Sequence, residues 1–313
     1  MTDYFIGIDL GTTHCALAYV KRDSTLKANA FATFNIPQLV GPGEIAKRPL
    51  LPCFRYHAGD EIHPNDRTLP FDAKLSEDID HAIIGEWAKR LGTKTSSRLV
   101  TSAKSWLTLS QNCNIACLPF NETQTIDKVS PLMATASYLN YLRAAWDYEH
   151  PNSPLAKQTL VITIPASFDE GARQATAEAA GIAGLSNVSL LEEPQAACYH
   201  WLSEHQAHDT EQRHEKLLLV CDIGGGTTDL SLLKISNNEG KTQLHRIAVG
   251  DHLMLGGDNM DLALAAKALS KTSSPSHSKV SALSSAAQAA KETLLSENSP
   301  ETASLTLLGQ GRK

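Results

Sequence analysis

The sequence predicts an α/β layered fold arranged in two halves, and three observations predict it. A polar turn of the form Asp-x-Gly, running into Gly and Thr between apolar flanks, occurs in FIGIDLGTTHCALAYV (5–20) and again in LLVCDIGGGTTDLSLLKI (218–235). Between the two turns, residues 159–203 alternate short β-branched runs with Ala-rich helical patterns, the order that builds a partly parallel sheet covered by helices. Tyr138, Tyr141, Leu142, Ala145 and Trp146 recur at i, i+3, i+4, i+7 and i+8, which is one face of a helix packed on a core.

Taken in order, residues 4–10 and 14–20 read as strands around a tight Gly-Thr-Thr turn. Residues 21–80 are irregular and rich in Pro and Gly, with one strand at LLPCFRYH (50–57). IIGEWAKRL (83–91) has a helical pattern, and a longer helix begins near residue 130. TLVITIP (159–165) is a buried strand ended by Pro165, and the helix DEGARQATAEAAG (169–181) follows, closed by Gly181 or Gly184. SNVSLL (186–191) returns as a strand, and EEPQAACYHWL opens a helix with Pro194 near its first position. WLSEHQAHDTEQRHE (201–215) is a polar connector. The second turn leads to strands at 218–235 and KTQLHRIAVGD (241–251), then the helix DNMDLALAAKALS (258–270). A Ser-rich loop (271–279), a helix from Val280 to Ser296 and the start of a strand at ASLTLLG (303–309) end the chain.

Composition narrows the function. With 313 residues, 42% of them hydrophobic, the chain is long enough for two domains or one bilobal one. A formal net charge of -6 supplies no basic field for a nucleic-acid backbone. No basic leader precedes an apolar run at the N-terminus, and runs such as LLLV (217–220) are too short to span a bilayer, so a cytoplasmic protein without membrane contact is expected. The six cysteines are scattered, with only Cys113 and Cys117 close in sequence, and read as reduced, mostly buried thiols. The histidines of the connector lack metal-site spacing.

The repeated turn has the chemistry of a phosphate grip. Glycine lets backbone N–H groups approach an anion closely, successive N–H groups form an anion-binding nest, and Thr hydroxyls add donors. A carboxylate beside the turn would repel phosphate by about 4 kcal/mol at about 4 Å. It belongs there when a magnesium ion lies between, since Mg²⁺ takes one or two carboxylates, waters and substrate phosphates. Asp9, Asp222 and Asp229 are therefore candidate metal-facing carboxylates. The rival phosphate motifs fail. Gly240-Lys241-Thr242 has Ile235 where a P-loop needs glycine, and Gly224-x-Gly226 is followed by Asp229 where a dinucleotide fingerprint needs a third glycine.

These stretches resemble the ATPase domain of the seventy-kilodalton heat-shock chaperones, the DnaK-like family. The two turns are similar to its phosphate loops, SAKSWL (102–107) to the stretch with its catalytic lysine, and VITIPASFDEGARQATAEAAGIAGLSNVSLLEEPQAA (161–197) to its connecting segment. GGDNMDLALA (256–265) resembles its Gly-Gly-acidic helix start, and FNIPQLVGPGEIAKRPLLPCFRY (34–56) a divergent bacterial branch. The connecting segment is the most specific part, because phosphate loops alone occur in actins and sugar kinases.

The resemblance implies an actin/hexokinase-like bilobal ATPase fold of duplicated ribonuclease H-like halves, with a first lobe at 1–200 and a partial second lobe at 201–313. It implies ATP or ADP with Mg²⁺ as cofactors. Gly11, Thr12, Thr13, Gly224, Gly225, Gly226 and Thr227 would contact phosphates, and Gly256 and Gly257 would form a wall of the nucleotide site. Asp9, Asp222, Asp229 and Glu193 would orient the metal, mainly through water, and Lys104 would reach the γ-phosphate; Lys104, Glu193, Asp222 and Asp9 form the catalytic set. Gln288 and Lys291 align with adenosine-contacting positions, while Glu292 stands where the family has a cation against the purine. His14 also departs from the family pattern.

The chain ends at LLGQGRK before the family's later adenosine motif and any peptide-binding domain. A C-terminally truncated, weakly binding and feebly hydrolysing unit is therefore expected. A J-domain co-chaperone, a nucleotide exchange factor and an unfolded client would be partners where a C-terminal domain exists. The leading function is slow Mg-ATP hydrolysis as a chaperone switch. The alternatives are a small-molecule kinase of the sugar type and a non-catalytic actin-like nucleotide-binding module.

Overall fold

The structure is a computed structural model that describes residues 3–23, 30–75, 81–108, 112–119, 126–205, 216–238, 241–251, 253–270 and 277–305. Most of the expected connector (206–215), the loop at 271–276, Gly240 and the end of the last expected strand lie outside the described residues.

The first hairpin forms where the alternation places it. Strands β1 (Tyr4–Leu10) and β2 (His14–Lys21) pair antiparallel, burying Ile6, Ile8 and Leu10 with Cys15 and Leu17 on one face. β3 (Ala32–Thr33) extends the sheet beside β2. The region expected to be irregular holds an additional hairpin outside the site, β4 (Ile36–Gly41) with β5 (Glu44–Arg48), turned by Gly43 at φ 66°. The Gly-Pro-Gly at 41–43 is its signal, obscured because β4 is buried almost throughout and so does not alternate.

The single strand expected at 50–57 is two short ones. β6 (Leu51–Pro52) pairs with β2, and β7 (Arg55–His57) pairs with β8 (Ala82–Ile84) and, on its other side, with β9 (Leu99–Val100). Pro52 lacks a donor, and the ladder with β2 ends one residue on, where the Cys53 N–H donates to the Thr13 carbonyl. The expected helix at 83–91 is corrected accordingly: Ile83 and Ile84 belong to β8, Gly85 breaks the chain at φ 98°, and α1 is Glu86–Gly92.

Helix α2 (Pro131–Glu149) starts where the Ser130 hydroxyl accepts from the Met133 N–H at 3.1 Å. The expected one-sided stripe is corrected to a helix buried nearly all round, with 14 of its 19 residues buried. Of its buried polar groups, Thr135 and Ser137 bond locally to the Pro131 and Ala134 carbonyls, while Asn140, Tyr138 and Tyr141 donate to the distant carbonyls of Ala73, Cys53 and Pro37. β10 (Thr159–Ile164), α3 (Glu170–Ile182), β11 (Val188–Glu192) and α4 (Glu193–His205) follow in the predicted order, and Asp169 caps α3. The first sheet runs β11-β10-β1-β2-β3, with β10 parallel to both β1 and β11.

The second hairpin, β12 (Lys216–Ile223) with β13 (Thr228–Asn238), is joined by β14 (Lys241–Val249) in an antiparallel sheet. One face packs Leu233 and Ile235 against Cys198 of α4, while the other leaves Leu217, Leu219 and Ile223 exposed. α5 (Gly257–Leu269) and α6 (His277–Leu294) pack through Ala265, Leu269, Leu283 and Ala287. Thus α6 begins three residues before the expected Val280 and ends two before Ser296. Residues 303–305 form no strand. Four cysteines are buried, Cys117 is half-buried and Cys221 exposed. Among the described residues no helix is long and apolar enough to cross a membrane.

Candidate functional site

The two Asp-x-Gly turns close in the same way. In the first, the Gly11 N–H donates to the His14 carbonyl at 3.0 Å; in the second, the Gly224 N–H donates to that of Thr227 at 2.8 Å. Asp9 and Asp222 each stand two residues before the closing glycine, and both line one cavity of about 620 Å³. Gly11, Thr12, Thr13, Gly224, Gly225 and Thr227 line it too, with Lys104 and Glu193. The tips meet: a Cβ placed on Gly225 would lie 2.0 Å from Thr13 Cγ2, so a side chain there would displace the Thr13 side chain. Gly226 lies on the Thr12 side of this contact and does not line the cavity.

The parallel register of β1 on β10 sets Thr163 beside Asp9, and the Thr163 hydroxyl donates to Asp9 Oδ1 at 2.7 Å. Asp229 stands opposite Asp222 in the β12–β13 ladder, buried, and is not part of the cavity lining. Lys104 sits in a 3-10 turn at 103–108 and is 5% exposed. Its Nζ lies 2.6 Å from Glu193 Oε1 and 5.7 Å from the Phe168 ring centre. Burial pushes the Glu193 carboxyl up from its ordinary value; Lys104 opposes the shift, while Asp222 and Asp9 add to it. His14 lines the cavity, its Nδ1 3.1 Å from the Thr13 hydroxyl, and burial pushes its pKa down, helped by Lys89.

Gly256 and Gly257 lie against the second turn. The Gly257 N–H donates to the Gly224 carbonyl at 3.0 Å and the Asp258 N–H to that of Gly225 at 2.7 Å, so the start of α5 carries that turn. Gln288 lines a separate cavity of about 290 Å³ with Ser102, Asp258 and Asp261, and Thr12 and Thr13 line both cavities. Lys291 pairs with the buried Asp261 at 2.7 Å and donates to the Gly257 carbonyl at 2.9 Å. Glu292 accepts from Lys89 Nζ with both oxygens at 2.9 Å, bridging α6 to α1. A third cavity, about 640 Å³, is lined by Phe5, Tyr19, Phe31 and Tyr199; it lacks the Gly/Thr turns and the facing carboxylates that suit a phosphate.

Thr163, Lys89, Ser102 and Asp258 escape the sequence reading. Thr163 could have been found by pairing TLVITIP with the first strand in parallel. The Lys89–Glu292 pair spans 203 residues and has no sequence signal.

A family model described as Hsp70 protein matches residues 74–309. The chain belongs to the Hsp70 protein family. This Hsp70-family chain is 31% identical over 256 residues to a chaperone protein HscA homolog of Acinetobacter baumannii, covering 82% of the chain and 36% of that protein. HscA homologs of Pseudomonas fluorescens and Shewanella loihica are 30% and 32% identical, covering 83% and 72% of the chain and again 36% of each relative. The chain thus spans about a third of the length of these curated relatives. Membership in the Hsp70 family implies the actin/hexokinase-like ATPase fold, of which the mixed sheets and flanking helices are the visible part.

Proposed function

We propose that this chain is the nucleotide-binding unit of an Hsp70-type chaperone. It binds Mg-ATP in the cavity between the two hairpins and hydrolyses it slowly to ADP and phosphate. The observation that carries this is the meeting of two identically closed Asp-x-Gly turns over one cavity that also holds Lys104 and Glu193. The hairpins open duplicated halves, 1–200 and 201–313, and hydrolysis times their closure.

Asp9, Asp222 and Glu193 supply hard oxygen donors, the set that suits Mg²⁺. Among the described residues no group of three or more His, Cys, Asp or Glu side chains is close enough to hold an ion, so water and nucleotide phosphates would complete its shell. When bound, the ion neutralises phosphate charge. The turn N–H groups and Thr hydroxyls orient the phosphates, and Lys104 places a cation against the γ-phosphate. Glu193, raised by burial, accepts a hydrogen bond from the attacking water. Gln288 and Lys291 serve the nucleoside side. A cytoplasmic setting goes with the same reading, and a J-domain co-chaperone, an exchange factor and an unfolded client would be partners where the unit is joined to a C-terminal domain.

The test is magnesium-dependent release of phosphate from ATP, with a panel of sugars offered as acceptors. Lys104→Ala is expected to lower turnover about a hundredfold or more while leaving nucleotide bound. Transfer to a sugar, or turnover indifferent to Lys104, would overturn the proposal in favour of a kinase or a non-catalytic binding module.

A further inference from the structure

Two thiols lie together under the first turn. Strand β6 pairs with β2 at Cys15–Leu51 and His14–Pro52, and the Cys53 N–H extends the ladder by donating to the Thr13 carbonyl at 2.8 Å. This register sets Cys15 and Cys53 on the same face as diagonal neighbours, with the His14–Pro52 pair between them. Their Sγ atoms are 3.1 Å apart, and the residues are 0% and 2% exposed. A disulfide needs about 2.05 Å, so the sulfurs must close by about 1 Å, and because the residues are diagonal neighbours the two strands must shift together with them. The Cys53 thiol also lies 3.3 Å from the Gly11 carbonyl, to which it donates, and Cys53 lines the 290 Å³ cavity beside Thr13 and Ser102.

We propose that Cys15 and Cys53 are a redox-modification site, forming a reversible disulfide beneath the first phosphate turn when the chain meets a hydroperoxide. Cys53 lines this small cavity, which is the side from which a peroxide would reach it. The Cys53 sulfur attacks the near peroxide oxygen and the O–O bond breaks. The leaving oxygen takes the thiol proton, giving a sulfenic acid and water, or an alcohol from an organic hydroperoxide. Cys15 then attacks the Cys53 sulfur; the S–S bond forms, the S–O bond breaks, and hydroxide departs as water with the Cys15 proton. Two thiols are oxidised by two electrons and one peroxide is reduced. Burial raises the Cys53 thiol well above its usual range, keeping the thiolate scarce and the reaction slow. The pair thus answers sustained exposure.

The bond draws Cys53 from the Gly11 carbonyl and pulls on the strand that holds Thr13. This consequence rests on the nucleotide reading; the bond itself does not. The intact chain is treated with hydrogen peroxide, quenched, denatured, alkylated and mapped by mass spectrometry without reductant. The expected result is a peptide linking Cys15 to Cys53, lost on dithiothreitol treatment and absent from Cys15→Ser and Cys53→Ser. Both thiols alkylated as in untreated protein, or a link confined to Cys113 and Cys117, would overturn the site. Binding of a fluorescent ATP analogue is measured in parallel. Oxidation is expected to weaken it about tenfold, as loss of one charge-assisted contact does, with recovery on reduction and no response in Cys15→Ser. A bond that forms without changing affinity would overturn the switch. A reduced chain that binds no analogue would overturn the nucleotide reading and leave the disulfide result standing.

Discussion

Replacing Lys104 by methionine strands the Glu193 carboxylate in a nearly closed site. The pair is 2.6 Å apart with side chains 6% and 17% exposed, so its direct attraction is about 6 kcal/mol at an effective dielectric of about 20. Much of that offsets the cost of drying two charges, and removing one partner of such a pair costs about 3–5 kcal/mol. Glu193 has an escape, because burial already raises its pKa and Lys104 is the chief influence drawing it down. Without Lys104 the carboxyl is pushed further up and takes a proton more readily, so the expected loss lies at the low end of that range, about 3 kcal/mol. The sign follows from proton uptake. A carboxyl whose folded pKa lies above its unfolded value of 4.5 loses stability as pH rises. The deficit of Lys104→Met therefore shrinks by up to about 1.4 kcal/mol per pH unit as pH falls from the variant's folded pKa to the lower wild-type one, and is constant below that. Urea unfolding of wild type, Lys104→Met, Glu193→Gln and the double variant at pH 5, 6 and 7 measures this. Recovery at low pH and in the double variant is expected; a pH-independent deficit, or additive single effects, would refute the reasoning.

Other consequences follow from the same geometry. Gly256→Ala would set a Cβ 2.5 Å from the Gly225 carbonyl oxygen and 2.7 Å from that of Gly224, contacts only the backbone can relieve. A destabilisation of about 1–3 kcal/mol in chemical denaturation, together with weaker nucleotide binding, is expected. His14 should titrate below its ordinary 6.5 by NMR, so it favours the folded chain above that pH and opposes it as pH falls through the lower folded value. Glu292, which opposes this shift, should on replacement by glutamine move His14 lower still.

The parts of the fold that local pattern dictates are legible in the sequence: both hairpins, the strand–helix–strand–helix run from Thr159 to His205, and the α5–α6 pair. The hairpin at 36–48 is not, because its first strand is buried on both faces and loses the period of two. Ile83 and Ile84 match a helix as well as a strand until the partner at Arg55 is known. In the site, the turns are legible because close approach to phosphate demands Gly and Thr at fixed offsets. The Lys104–Glu193 pair, the Thr163 bond to Asp9 and the bridge from Lys89 to Glu292 depend on how distant segments pack, which no local spacing encodes.

Under the proposed function, both hairpins grip one nucleotide. Titrating Mg-ATP into wild type, Asp9→Asn and Asp222→Asn by calorimetry, with and without magnesium, tests it most directly. The expected result is magnesium-dependent binding that either substitution weakens. Binding that ignores magnesium, or that survives loss of one carboxylate unchanged, would contradict it.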